Sequence, residues 1–117
     1  ILTWHVVGGL GQQAPPKVDI GPAYYMDADY RPTLVWIRVK GAAPSGAGII
    51  IDILDDGVSI FTNRPTLLDG QTSRITTTFA AYPVVIEEES IITANLISVS
   101  TSVPGADLSF ELHLERT

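Results

Sequence analysis

A chain of 117 residues with 45% hydrophobic content has the length of one domain and enough apolar side chains to bury a core without staples. It contains no cysteine, which excludes disulfides, thiolate metal sites and a cysteine nucleophile. The formal net charge is −6, and the seven Lys and Arg are scattered from Lys17 to Arg116, so the basic stripe that a nucleic-acid partner requires is missing.

No apolar run reaches about 18 residues, so no membrane-spanning helix is expected. The opening residues Ile1 to Val7 lack the basic region and cleavage site of a signal peptide. The chain starts on Ile, which reads as a domain taken from something longer or as a trimmed beginning. One β-sandwich domain is expected over 1–117.

Side chains that alternate apolar and polar mark strands with one buried face. Strands are expected near 2–7, 18–27, 33–41, 48–55, 58–62, 73–80, 91–100 and 107–115. Gly8, Gly9, Gly11, Pro15 and Pro16 make 8–17 a flexible Gly/Pro-rich loop. In the third strand Val35, Ile37 and Val39 share the inward side, opposite Trp36, Arg38 and Lys40. Ala43-Pro44-Ser45-Gly46 is a turn, and beyond it Ile49, Ile51 and Ile53 face inward with Asp52 on the other side. Asp55-Asp56-Gly57 marks a tight hairpin, because a type I′ turn needs positive φ and Asp-Gly supplies it at little strain.

No segment repeats apolar residues at helical spacing over three turns. Residues 82–90 leave room for a short helical turn around Pro83 to Glu89, and a long connection or capping turn is the preferred reading. The Ile, Val and Thr residues of 91–103 suit a pleated surface. After the turn Val103-Pro104-Gly105-Ala106, Leu108, Phe110, Leu112 and Leu114 face inward while Glu111, His113 and Glu115 face water. Three separated segments with apolar faces must cover one another. The fold class is therefore all-β: a two-sheet antiparallel β-sandwich, jelly-roll-like, of about eight strands.

Motifs for chemistry are sparse. His5 and His113 stand at no zinc or nucleophile-base spacing. Asp27, Asp29, Asp55 and Asp56 offer oxygens of the type that calcium takes, but their positions fit turn residues better. Glu87-Glu88-Glu89 reads as a solvated charge run, or in a sharper reading as a patch for a basic partner or a cation. No catalytic residue, metal ligand or cofactor site is assigned. The aromatics are the candidate contact residues: Trp36, Tyr24, Tyr25 and Trp4, for stacking on a sugar ring or for covering by another subunit.

Ala43-Pro44-Ser45-Gly46, the strand Ile50-Ile51-Asp52-Ile53, Asp56-Gly57-Val58-Ser59-Ile60-Phe61 and the closing Pro104-Gly105-Ala106-Asp107-Leu108 together resemble a β-sandwich module common in structural proteins of tailed bacteriophages. The likeness covers roughly 33–115, with Trp4 to Gly9 and Gly21-Pro22 also fitting. It rests on turn and core residues. The resemblance implies a non-enzymatic virion component on the particle surface, a head decoration, fibre or tail component, whose partners are other virion subunits and copies of itself, a trimer by analogy with fibres. The alternative is a carbohydrate-binding adhesin domain, in which Trp36 or the Tyr24-Tyr25 pair stacks on a host-surface glycan, with calcium near Asp27 and Asp29.

Overall fold

The period of two becomes nine strands in a computed structural model, which describes residues 1–9, 17–40, 48–68, 70–77, 79, 85–99 and 106–117. They are β1 (Leu2–Gly9), β2 (Lys17–Tyr25), β3 (Tyr30–Val39), β4 (Ile49–Asp55), β5 (Val58–Ser59), β6 (Thr66–Leu67), β7 (Ser73–Thr76), β8 (Ile91–Ser98) and β9 (Ala106–Arg116). One sheet runs β1-β9-β3-β7 and the other β2-β8-β4-β5, with β6 also paired to β4. All pairings are antiparallel. From β1 to β4, successive strands alternate between sheets. β1 pairs β9, β2 pairs β8 and β3 pairs β7, which is the winding of a jelly roll.

The inward rows are those the alternation marks. In the first sheet Val35 pairs Leu112, Ile37 pairs Phe110 and Val39 pairs Leu108, and all six side chains are buried. Facing them are Ile49, Ile51 and Ile53 of β4 and Ile92, Ala94 and Leu96 of β8, each fully buried. At about 1.5 to 3 kcal/mol for each large side chain removed from water, these rows dominate the favourable side of folding. Leu114, at the end of its row, is only partly buried.

The Asp55-Asp56-Gly57 hairpin forms as its chemistry requires. Asp56 and Gly57 have φ of 49° and 84°, and Asp55 pairs Val58 across the turn. Asp56 also clamps the hairpin to β8: its N–H donates to the Ile91 carbonyl at 3.0 Å, and its Oδ1 accepts the Ile91 N–H at 2.9 Å.

Elsewhere the boundaries shift. β1 extends through Gly8 and Gly9, because backbone pairing with β9 needs no side chain, and Lys17 already belongs to β2. The remainder of the expected loop, 10–16, lies outside the described residues, as do the turns at 43–46 and 103–105. β3 begins at Tyr30, since its backbone finds Arg116 and the isolated bridge partner Ile86. Of the expected strand 73–80, Ser73–Thr76 forms β7, Thr77 and Phe79 stand outside any strand, and 78 and 80 lie outside the described residues. β6 was not foreseen: two residues are too few to show a period, and they pair because the chain returns along the edge of β4, where Ile51 N–H donates to the Pro65 carbonyl. Among the described residues there is no helix. Within the run expected as a connection, Glu88 and Glu89 form a turn, with Glu89 at φ 73°.

Replacing Ile51 or Leu112 by Asp places an uncompensated carboxylate in the dry layer and removes an apolar one. Either change is expected to cost a large part of a typical domain stability of about 5–15 kcal/mol, read as loss of the urea transition. Gly48 has φ +86°, and a Cβ there would meet the Leu67 carbonyl oxygen. Gly48→Ala should therefore lower stability by about 1–3 kcal/mol in the same measurement while leaving the β spectrum intact.

Candidate functional site

The four aromatic candidates separate into two structural roles. Trp4 is fully buried, so a contact role for it is corrected. It shares an inward phase with Leu2 and Val6, stacks on Phe110 with ring centroids 5.4 Å apart, and meets Tyr24 edge-on at 5.3 Å. Its indole N–H donates to the Pro22 carbonyl at 2.8 Å. Tyr24 is half-buried, and its hydroxyl donates to the Thr3 carbonyl at 2.8 Å while accepting the Thr3 N–H at 3.3 Å. Since Trp4 and Thr3 lie on β1 of one sheet and Pro22 and Tyr24 on β2 of the other, these contacts stitch the sandwich shut along that edge.

Trp36 does point out from the first sheet, between Glu111 of β9 and Ile75 of β7. It is not a bare platform. The Arg38 guanidinium lies 4.6 Å from the ring centroid, and the indole N–H donates to Ser73 Oγ at 2.7 Å. Arg38 in turn donates to Ser109 Oγ at 3.1 Å and to Glu111 Oε2 at 3.0 Å, and His113 Nε2 is 3.1 Å from Glu111 Oε1. This outer face is a polar, cross-linked layer. At one end an open groove of about 780 Å³ is lined by His5, Arg38, Lys40 and Asp107.

Tyr25 is the most exposed of the four, at 66%. Near it a groove of about 320 Å³ is lined by Tyr24, Tyr25, Tyr30 and Asp27. Tyr30 donates its hydroxyl to Asp27 Oδ1 at 2.7 Å, and that hydrogen bond to a carboxylate pushes the phenol above its ordinary pKa.

The winding also collects charge that is dispersed in sequence. The β2–β3 turn brings Asp27 and Asp29, the β4–β5 turn Asp55 and Asp56, the approach to β8 Glu87, Glu88 and Glu89, and the end of β9 Glu115. Hydrogen bonds join these segments: Glu88 N–H to Asp29 Oδ1, Tyr30 N–H to the Ile86 carbonyl, Thr117 N–H to the Asp29 carbonyl. Eight of the thirteen acidic residues thus lie at one pole, beside Arg31 and Arg116. Asp27 and Asp29 each brace a turn, and among the described residues no group of three His, Cys, Asp or Glu could hold a metal ion. Asp55 Oδ1 is buried there without a hydrogen-bond partner.

The outer face of the second sheet is of opposite character. Its outward positions hold Tyr25 on β2, Ile91, Thr93, Asn95 and Ile97 on β8, and Ile50, Asp52 and Leu54 on β4. Among the described outward side chains of these strands Asp52 is the one charge, and it is 1% exposed. Ser59 Oγ donates to its Oδ1 at 2.6 Å and Arg64 Nε to its Oδ2 at 3.1 Å. Ser59 Oγ also accepts the Phe61 N–H, so the carboxylate holds the returning segment against β4. Its burial was not readable from the alternation, which put Asp52 on the solvent side; the covering arises from a tertiary crossing. Ser59 and Asp52 are separated by the core from His5 and His113, so these four do not form a nucleophile-base set.

The two tryptophans give a direct check. Trp4→Ala should cost about 3–5 kcal/mol in urea unfolding. Trp36→Ala should cost about 1 kcal/mol, the scale of a surface cation–π contact. Trp36→Phe, which leaves Trp4 alone, should give blue-shifted emission that acrylamide quenches poorly.

The chain has no significant match to any protein-family model, curated protein or solved structure.

Proposed function

We propose that this domain is a non-enzymatic structural and interaction module of a tailed-phage particle, serving as a head decoration, a fibre or a tail component. The observation that carries the interaction reading is the outer face of the second sheet, where Ile50, Leu54, Ile91 and Ile97 lie together and the Asp52 carboxylate is paired with Arg64. Apolar surface gathered on one face suits contact with protein more than with water. The setting is supported by the resemblance of the turn and core motifs between residues 33 and 115, and a jelly roll is a winding that viral coat proteins use widely. Partners are other virion subunits and copies of the same chain. A cysteine-free domain folds without redox help, and its net charge of −6 keeps it soluble at high copy number.

Host-glycan binding is the second reading, and one observation favours it: the groove of about 320 Å³ beside the exposed Tyr25 ring. It moves the stacking position from Trp36, one face of which Arg38 covers, to Tyr25 and Tyr30. Trp4 takes no part in it.

Antibody against the folded domain, applied to particles and viewed by electron microscopy, should label the particle surface at regular positions. Unlabelled particles from a lysate that contains the chain in free form count against the virion reading. On a glycan array the domain should be silent. A signal that Tyr25→Ala abolishes, with the fold unchanged, selects the adhesin reading instead.

A further inference from the structure

We infer that the groove between β7 and the segment from Asn63 to Leu68 is a binding site for a tetrahedral oxyanion, a phosphate or a sulfate, held chiefly by Arg74. The inference stands on the domain alone and does not depend on the virion reading.

The two lateral seams of the sandwich are closed differently. Between β1 and β2 the gap is filled by Trp4 and Tyr24. Along the other seam, where β7 edges the first sheet and β6 lies against β4 of the second, a groove of about 400 Å³ remains. It is lined by Asn63, Arg64, Arg74 and Thr76 among others, and it reaches in to Ile37 of the core. Across the β3–β7 ladder Arg74 pairs Ile37 and Thr76 pairs Val35, and both of those partners are buried. Arg74 and Thr76 therefore stand on the core-facing side of β7, while Ser73 and Ile75 stand outward with Arg38 and Trp36. An apolar residue at position 74 would extend the core row. An arginine there puts a cation at the mouth between the sheets.

Its donors are only partly used. Arg74 Nη1 donates to the Thr66 carbonyl at 2.9 Å, which holds the side chain across the seam. Among the described residues Nε and Nη2 have no partner, and no carboxylate lies within ion-pair distance of Arg74. Arg64 commits Nε to Asp52 and leaves its two terminal nitrogens without a partner among the described residues. The planar fork of a guanidinium matches two oxygens of a phosphate or sulfate. A tetrahedral ion has further oxygens to accept from Thr76 and Asn63.

Charge singles out this groove. The chain carries a net charge of −6, yet the groove is lined by two of its five arginines and, among the described residues, by no acidic side chain. The groove of about 780 Å³ includes Asp107, and that of about 320 Å³ includes Asp27. Local positive potential of this kind attracts anions whatever the overall charge. A water takes about 30 Å³ of liquid, so the site has room for the ion and for part of a group that carries it. The oxyanion is the shared chemistry, whether free or borne on a sugar.

Inorganic phosphate titrated into the isotope-labelled domain, with ionic strength held constant by sodium chloride, should shift the amide signals of residues 63, 64, 66 and 73–76. The shifts should saturate with one dissociation constant of about 1 mM, and sodium chloride alone should not produce them. Arg74→Gln should weaken binding about tenfold or more and Thr76→Val about threefold, with the β spectrum unchanged. Lys40→Gln, which removes a like charge elsewhere, should leave the constant within about twofold. Glucose 6-phosphate that binds more tightly than phosphate at the same residues identifies an ion borne on a sugar; equal binding identifies the free ion. Absence of saturable shifts up to about 50 mM phosphate overturns the inference. So does a titration unaltered in Arg74→Gln, the result expected if this arginine serves only to guard the edge of β7 against strand pairing. Equal weakening in Lys40→Gln and Arg74→Gln would reduce the effect to net charge and overturn it too. Asp69 lies between β6 and β7 in sequence and outside the described residues. Phosphate binding seen in Asp69→Asn but not in the unaltered domain would make that carboxylate the occupant and sink the oxyanion site.

Discussion

The structure depends on one constraint: four long strands, β3 and β9 in one sheet and β4 and β8 in the other, each present a row of aliphatic or aromatic side chains that only the opposite sheet can cover. Phe110, Ile37, Ile51 and Leu96 belong to these rows, and all are at most 1% exposed. The jelly-roll winding satisfies the constraint because β1 to β4 alternate between sheets, so neither sheet can be completed before the other begins. Few contacts are local. The β4–β5 hairpin is the one place among the described residues where neighbours in sequence pair across a two-residue turn, and the remaining ladders join segments far apart in the chain. Such a topology folds slowly relative to its stability, because loop-closure entropy is spent before most of the burial is gained.

The seam between β1 and β2 shows how the open edge of such a sandwich is held. Trp4 supplies the largest buried side chain there, and its N–H finds the Pro22 carbonyl, so burying the indole leaves no donor unpaired. The Tyr24 hydroxyl makes two hydrogen bonds to the Thr3 backbone from the opposite sheet. Trp4 is thereby committed wholly to the fold, Tyr24 to the seam while still lining the groove beside Tyr25, and Tyr25 and Trp36 face outward, Trp36 beneath its guanidinium cover.

What was legible in the sequence was phase. The side of β3, β4 and β9 that faces the core follows from alternation, and the type I′ turn follows from Asp55-Asp56-Gly57, because both are properties of a few consecutive residues. The burial of Trp4 was open to the same reasoning, through its shared phase with Leu2 and Val6. The burial of Asp52 was not, since the covering groups come from Ser59 and from Arg64, twelve residues on. Nor was the Arg38–Glu111 pair, which spans 73 residues and exists only because β9 lies beside β3. Patterns carry information about faces; partners across faces are set by topology. The candidate site was therefore less legible than the fold.

The same distinction explains the two poles. Asp27, Asp55, Glu88 and Glu115 sit in four separate stretches, each of which reads by itself as an ordinary solvated turn or strand end. The winding brings those stretches to one end of the sandwich, while the sequence that joins β1 to β2, β3 to β4 and β8 to β9 between the described residues contains no charged side chain. The result is a molecule with like charges gathered at one end, a polar cross-linked face and an apolar face. Like charges gathered at one pole raise the cost of bringing two such poles together and favour approach through the other surfaces.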